Sequence, residues 1–190
     1  MKLYADALPK VRKNISPLLL CPEHLRRLLA DQQKLSPNIV LLCVGTDRII
    51  GDSLGPIVGT MIEQTCSSTR ALAYASRQLN VYGTLHHTVH ALNLEEISLQ
   101  IQKKHADCTV IAIDASLGDR SFIGSVFIRP GNLQPGAGVH KNLPQLGDIT
   151  ITGVAGEQSR HPYLTLQTVR LSTVVQMAEH ICSCILEVCR

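Results

Sequence analysis

The sequence predicts a single α/β domain on a mostly parallel sheet that carries one antiparallel strand. Three observations carry this. Two continuous apolar runs, 39–45 (IVLLCVG) and 109–114 (TVIAID), have the composition of strands buried on both faces. Strand-like runs alternate with stretches of helical periodicity, the pattern of β-loop-α units. Only about eight residues separate 109–114 from the next strand, 123–129 (IGSVFIR), and a parallel crossover needs a dozen or more, so this fourth strand runs antiparallel.

Taken in order, residues 1–37 read as a helical lead-in, with a helix at 23–34 that sets Leu25, Leu28 and Leu29 on one face. The tripeptide SPN breaks the chain at 36–38, and the first strand, 39–45, leads into a loop, 46–52 (TDRIIGD). A helix then starts at Ser53, with Leu54, Ile57, Val58, Met61 and Ile62 at helical spacing and Pro56 in the first turn, where a missing N–H costs little. The second strand is 79–83 (LNVYG). Asn93 and Glu96 form a capping-box pattern before a helix whose buried stripe is Leu94, Ile97 and Ile101. After the fourth strand comes a Gly/Pro-rich segment, 130–147, long enough to predict a functional loop. A fifth strand, 149–154 (ITITGV), and a helix near 168–188 close the domain, 1–190.

The 190 residues suit one domain, and 45% hydrophobic against 17% charged composition predicts a packed core rather than disorder. With 3% aromatics and no Trp the core is aliphatic, which excludes a stacking platform for single-stranded nucleic acid. A net charge of +3 is too small for a phosphate-tracking surface, so no nucleic-acid partner is expected. No run reaches ~18 uninterrupted apolar residues, and MKLYADALPKVRKN lacks the apolar centre of a signal peptide. The expectation is a cytoplasmic protein with no membrane partner. Its seven Cys include no CxxC pair and fall largely in apolar runs, which predicts buried, reduced thiols without a disulfide.

In open α/β sheets ligands bind beyond the carboxyl ends of the strands. Two carboxylates reach that edge independently: Asp114 closes the strand 109–114, and Asp52 ends the loop after 39–45. A helix N-terminus favours ionised Asp52. With Asp114 nearby, one of the two would hold its proton more tightly, giving an acid and a base able to activate water against an amide. The alternative is that Asp52 is only a helix cap and Asp114 only a strand-end turn residue.

The stretches IVLLCVGTDRIIGDSLGPIVGTMI, VYGTL…VHALNLEE, VIAIDASLG and PGAGVHKNLPQLGDITITG resemble the YyaC-type sporulation proteins of endospore-forming bacteria over about residues 39–155. More faintly they are similar to the spore germination protease and the hydrogenase maturation proteases. The resemblance implies a three-layer α/β/α fold of the phosphorylase/hydrolase-like kind, with a five-stranded mixed sheet of order 2-1-3-5-4 and strand 4 antiparallel. In the germination protease, an atypical aspartic peptidase, one catalytic Asp lies in a DALGP stretch and the other in an IDA stretch. DSLGP at 52–56 and IDA at 113–115 carry those roles to Asp52 and Asp114. The implied function is that of a sporulation-associated, Asp-dependent endopeptidase acting on spore proteins, with small acid-soluble spore proteins as substrates in the spore or forespore interior. No cofactor is implied, and a homo-oligomer is left open. The alternatives are a non-catalytic spore binding protein of the same fold and a metal-probing endopeptidase of the hydrogenase-maturation type.

Asp47, His90 and His140 are the candidate substrate-binding residues. Asp47 either orients substrate or pairs with Arg48 at the surface. His140 is placed like the His that holds the substrate's nickel in the maturation proteases, but one His with carboxylates binds many metals weakly and no resident metal is assigned. His86, His87 and His90 read as a solvated loop, with His90 the one of interest. GDSL at 51–54 matches the esterase block with Ser53 as nucleophile, yet the chain has no DxxH to supply the base. The Gly45…Gly51 spacing, with no Lys following, does not suit a phosphate loop.

Overall fold

A computed structural model of the chain describes residues 18–34, 37–68, 78–133 and 147–189. Residues 1–17 of the lead-in and 134–146 of the Gly/Pro-rich segment, His140 among them, lie outside the described residues.

The elements follow as β1 (Leu18–Leu19), α1 (Pro22–Asp31), β2 (Ile39–Cys43), α2 (Leu54–Ser68), β3 (Leu79–Tyr82), α3 (Leu94–Lys104), β4 (Thr109–Gly118), β5 (Val126–Pro130), β6 (Ile149–Glu157), α4 (Pro162–Thr168) and α5 (Leu171–Cys189). The molecule is α/β with one mixed sheet, in the order β1-β5-β6-β4-β2-β3. β2 pairs in parallel with both β3 and β4, β4 pairs in parallel with β6, and β5 is antiparallel to β6.

Six strands replace the five expected, because the lead-in is not wholly helical. Leu18 and Leu19 pair antiparallel with Ile128 and Phe127, and Leu20 N donates to Val126 O at 2.9 Å. The added pair shields the middle of an otherwise open edge on β5.

Every residue of β2 is buried, as its unbroken apolar run requires for a strand covered on both faces. Alternation sorts the strand side chains into two cores. Ile39, Leu41, Cys43, Ile111 and Ile113 pack with α1, α2 and α5, while Val40, Leu42 and Ala112 pack with Leu94 and Ile101 of α3. Helices therefore lie on both faces of the sheet.

The helix near 168–188 forms as α5, and a short helix that was not expected, α4, precedes it across Val169, which is extended with ψ 144°. One helix expectation changes. The capping box does not form: Asn93 Oδ1 accepts from His90 N at 2.8 Å and Nδ2 donates to Thr88 O at 2.9 Å, so the side chain closes the preceding turn instead. By length and apolarity alone α5 could cross a membrane. Here Val174, Ala178, Ile181 and Ile185 are fully buried against the sheet and neighbouring helices.

All seven Cys are free thiols. Cys182 Sγ lies 3.7 Å from Val58 O and 3.9 Å from Met61 Sδ, and burial pushes its thiol up to about 12. Burial raises Cys43 further still, so both behave as small apolar side chains rather than nucleophiles.

Candidate active site

Asp52 and Asp114 come from opposite sides of the sheet and meet at its carboxyl edge. By alternation Asp114 belongs with Ala112 to the α3 side. Asp52 ends a short 3-10 turn, Ile50–Asp52, that leads into α2 on the other side. β2 pairs with β4 only as far as Cys43↔Ile113, and Val44 N closes the ladder on Ile113 O at 2.8 Å. At the next level of β4 the β2 ladder has ended, and there the two carboxyl groups influence each other.

Local geometry holds each acid. Thr46 N lies 3.1 Å from both the backbone oxygen and Oδ2 of Asp52, which folds the 46–52 loop back on itself. Gly45 sits at φ +141°, and a Cβ there would overlap the Asp52 carbonyl oxygen, so only glycine lets the loop close. Asp114 Oδ1 accepts from Ala115 N at 2.9 Å.

Burial dominates the electrostatics. Desolvation pushes Asp52 up to about 6, against the lowering effect of the Thr46 hydrogen bond. Desolvation, and then the charge of Asp52, push Asp114 up to about 8, against its bond from Ala115. The expected stabilisation of ionised Asp52 by a helix N-terminus is thus outweighed by desolvation. Both shifts favour the protonated forms, and the Asp52 charge makes Asp114 the one that holds its proton more tightly.

These shifts fix the sign of a pH effect on stability. Both folded pKa values lie above the unfolded value near 4, so between pH 4 and 8 the unfolded chain binds fewer protons than the folded one. Stability is therefore expected to fall as pH rises through that window. Asp114→Asn should remove most of the fall, leaving the variant with a higher denaturation midpoint than the parent at pH 8 in denaturant titrations. Equal slopes with pH for the two proteins would contradict the raised pKa.

Of the other sequence candidates, Asp47 and His90 are described, and neither makes a hydrogen bond to this pair. Asp47 is exposed, and the expected pairing with Arg48 does not form; Arg48 N donates to Thr46 Oγ1 at 3.3 Å. His90 follows Val89, which bridges to Val44 and accepts Gly45 N at 2.8 Å, so it stands beside the end of β2. Its Nδ1 accepts from Leu92 N at 3.3 Å, which ties the ring into the turn before α3. His86 and His87 are exposed. Among the described residues no three His, Cys, Asp or Glu side chains gather as metal ligands. Ser53 is 5% exposed, and its hydroxyl donates to Ile50 O at 2.7 Å instead of capping α2, a poor position for a nucleophile. A separate cavity of about 360 Å³, bordered by Lys34, His105 and Asp148, opens at the opposite end of β4.

Two features of the site escaped the sequence reading. α4 lies over the 3-10 turn, with Leu166 seated where a Cβ on Gly51 would stand. Gly55 and Gly59, one helical turn apart on α2, let its backbone touch that of Val44 and Gly83. The signal was available as the four-residue spacing of Gly51, Gly55 and Gly59.

The chain is 44% identical over 140 residues to the uncharacterized protein YyaC of Bacillus subtilis (strain 168), a match covering 74% of this chain and 64% of that relative. The match thus spans less than two thirds of the relative's length. A family model described as a protein of unknown function, DUF1256, matches residues 20–184, which takes in every element from α1 through most of α5. The chain belongs to the DUF1256 family.

Proposed function

We propose that the chain is an Asp-dependent endopeptidase of the cytoplasm or forespore whose substrates are spore proteins, small acid-soluble spore proteins first among them. The observation that carries this reading is the meeting of Asp52 and Asp114 at the carboxyl edge with distinct, raised pKa values. The likeness of DSLGP and IDA to the two catalytic stretches of the germination protease supports the choice of amide chemistry and of substrate. In this mechanism ionised Asp52 takes a proton from water as its oxygen bonds to the scissile carbonyl carbon. The proton on Asp114 then passes to the departing amine as the C–N bond breaks, which leaves a carboxylic acid and an amine and a pair in need of one proton shift to reset.

The test is incubation of the purified chain with a small acid-soluble spore protein, with new termini read by mass spectrometry. Cleavage should follow a bell-shaped pH profile with limbs near 6 and 8, since it needs Asp52 ionised and Asp114 protonated. Chelator should leave it unchanged. Cleavage that dies with chelator would favour the metal-probing reading, and the absence of any new terminus would favour a binding protein.

A further inference from the structure

The ladders on the two sides of β4 end at different heights. On the β2 side pairing stops at Ile113, but on the β6 side it continues through Gly118↔Glu157. Ala115–Gly118 therefore project beyond the end of the β2 ladder, directly after Asp114.

The direction of each peptide group follows from its neighbours. Ile113 O faces β2, where it accepts Val44 N, and Gly118 O faces β6, where it accepts Gln158 N at 2.8 Å. Alternation then turns the peptide groups of Ala115 and Leu117 toward the side that β2 has vacated. Asp114 Oδ1 already takes Ala115 N. Among the described residues nothing takes the Ala115 carbonyl or the Leu117 N–H, one acceptor and one donor. The chain that would have continued β2 turns elsewhere: Gly45 N goes to Val89 O and Thr46 N to Asp52. No strand among the described residues pairs with this stretch on that side. The register also shifts between Ser116 and Leu117, an irregularity of the kind found beside active sites.

We infer that Ala115–Leu117 of β4 is the docking edge for substrate, on which an extended peptide is laid as an added strand in the place of β2. This rests on the peptidase reading of Asp52 and Asp114. In the parallel pattern that β2 uses lower down, a single peptide residue gives its N–H to Ala115 O and accepts from Leu117 N with its carbonyl. The added strand lies about 4.8 Å from β4, which carries it past Asp114. Recognition then runs through the main chain. The substrate must be a locally unfolded protein segment, side-chain selectivity is weak, and a Pro or N-methyl group at the residue facing Ala115 is excluded.

The experiment uses the whole 190-residue chain carrying Asp52→Asn and a synthetic peptide taken from a small acid-soluble spore protein, with wild type run beside it for cleavage. Saturating peptide should slow hydrogen exchange of the Leu117 amide about tenfold or more, the effect of one backbone hydrogen bond gained. Scanning N-methyl groups along the peptide should weaken binding by a similar factor at the position facing β4 and little at its neighbours. Protection of Leu117 without cleavage by wild type would sustain the docking edge while removing the peptidase reading. Cleavage with Leu117 unprotected and N-methylation tolerated throughout would overturn the docking edge alone. A peptide neither cleaved nor protective would overturn both.

Discussion

Asp52→Asn and Asp114→Asn are each expected to reduce cleavage at least ~10³-fold, because an amide can neither accept the proton of water nor return one to the leaving amine. Each loss should appear with the fold intact. Asn nearly matches Asp in shape, and at both positions the native carboxyl is held against its solvation preference, so the neutral amide relieves a cost rather than adding one. Circular dichroism and a denaturation midpoint no lower than the parent's at pH 7 would establish that. Ser53→Ala is the control. It removes the 2.7 Å bond to Ile50 O and costs about 1 kcal/mol of stability, yet should leave cleavage largely in place. The reverse result, Ser53 essential and Asp114 dispensable, would transfer the site to the serine chemistry suggested by GDSL. Activity that survives both Asp substitutions would end the dyad mechanism.

Gly59→Ala is expected to have the largest effect on stability. In an ordinary helix this substitution gains about 1 kcal/mol from propensity. Here the new Cβ would overlap the carbonyl oxygen of Gly83, with Val81 Cγ1 beside it at 3.3 Å. Backbone cannot move aside as a flexible side chain can, so α2 must lift from the end of β3. The expected loss is about 3 kcal/mol or more net of propensity, from the overlap and from the packing of Val58 and Ile62 that lifting disturbs. Since α2 carries the turn that presents Asp52, cleavage should fall together with stability. Thermal denaturation of the variant against the parent checks it, and an unchanged or raised midpoint would show that the helix does not sit on the strand backbone.

How much of this was legible beforehand depends on the range over which each feature is set. The strands at 39 and 109 could be read from their apolar runs because burial on both faces favours apolar residues along the whole strand. The antiparallel turn of β5 was legible because a short connection cannot make a parallel crossover. Asp52 and Asp114 could be named because Asp52 ends a readable loop and Asp114 closes the apolar run of β4, although the strand itself continues to Gly118. The sixth strand could not be read: Leu18–Leu19 is too short to carry a period, and only its partner β5 makes it a strand. α4 was not read because its seven residues, Pro162–Thr168, are too few to carry a helical period of their own. The protonation of the pair also lay beyond the sequence. Local rules favour an ionised Asp at the start of a helix, but desolvation depends on everything packed around it, and that packing pushes Asp52 to about 6 and Asp114 to about 8. The open stretch of β4 is tertiary in the same sense. Nothing in 109–118 marks where its neighbour ends, and that limit comes from β2, whose pairing stops at Cys43 and whose chain turns away at Gly45 to close the loop that presents Asp52.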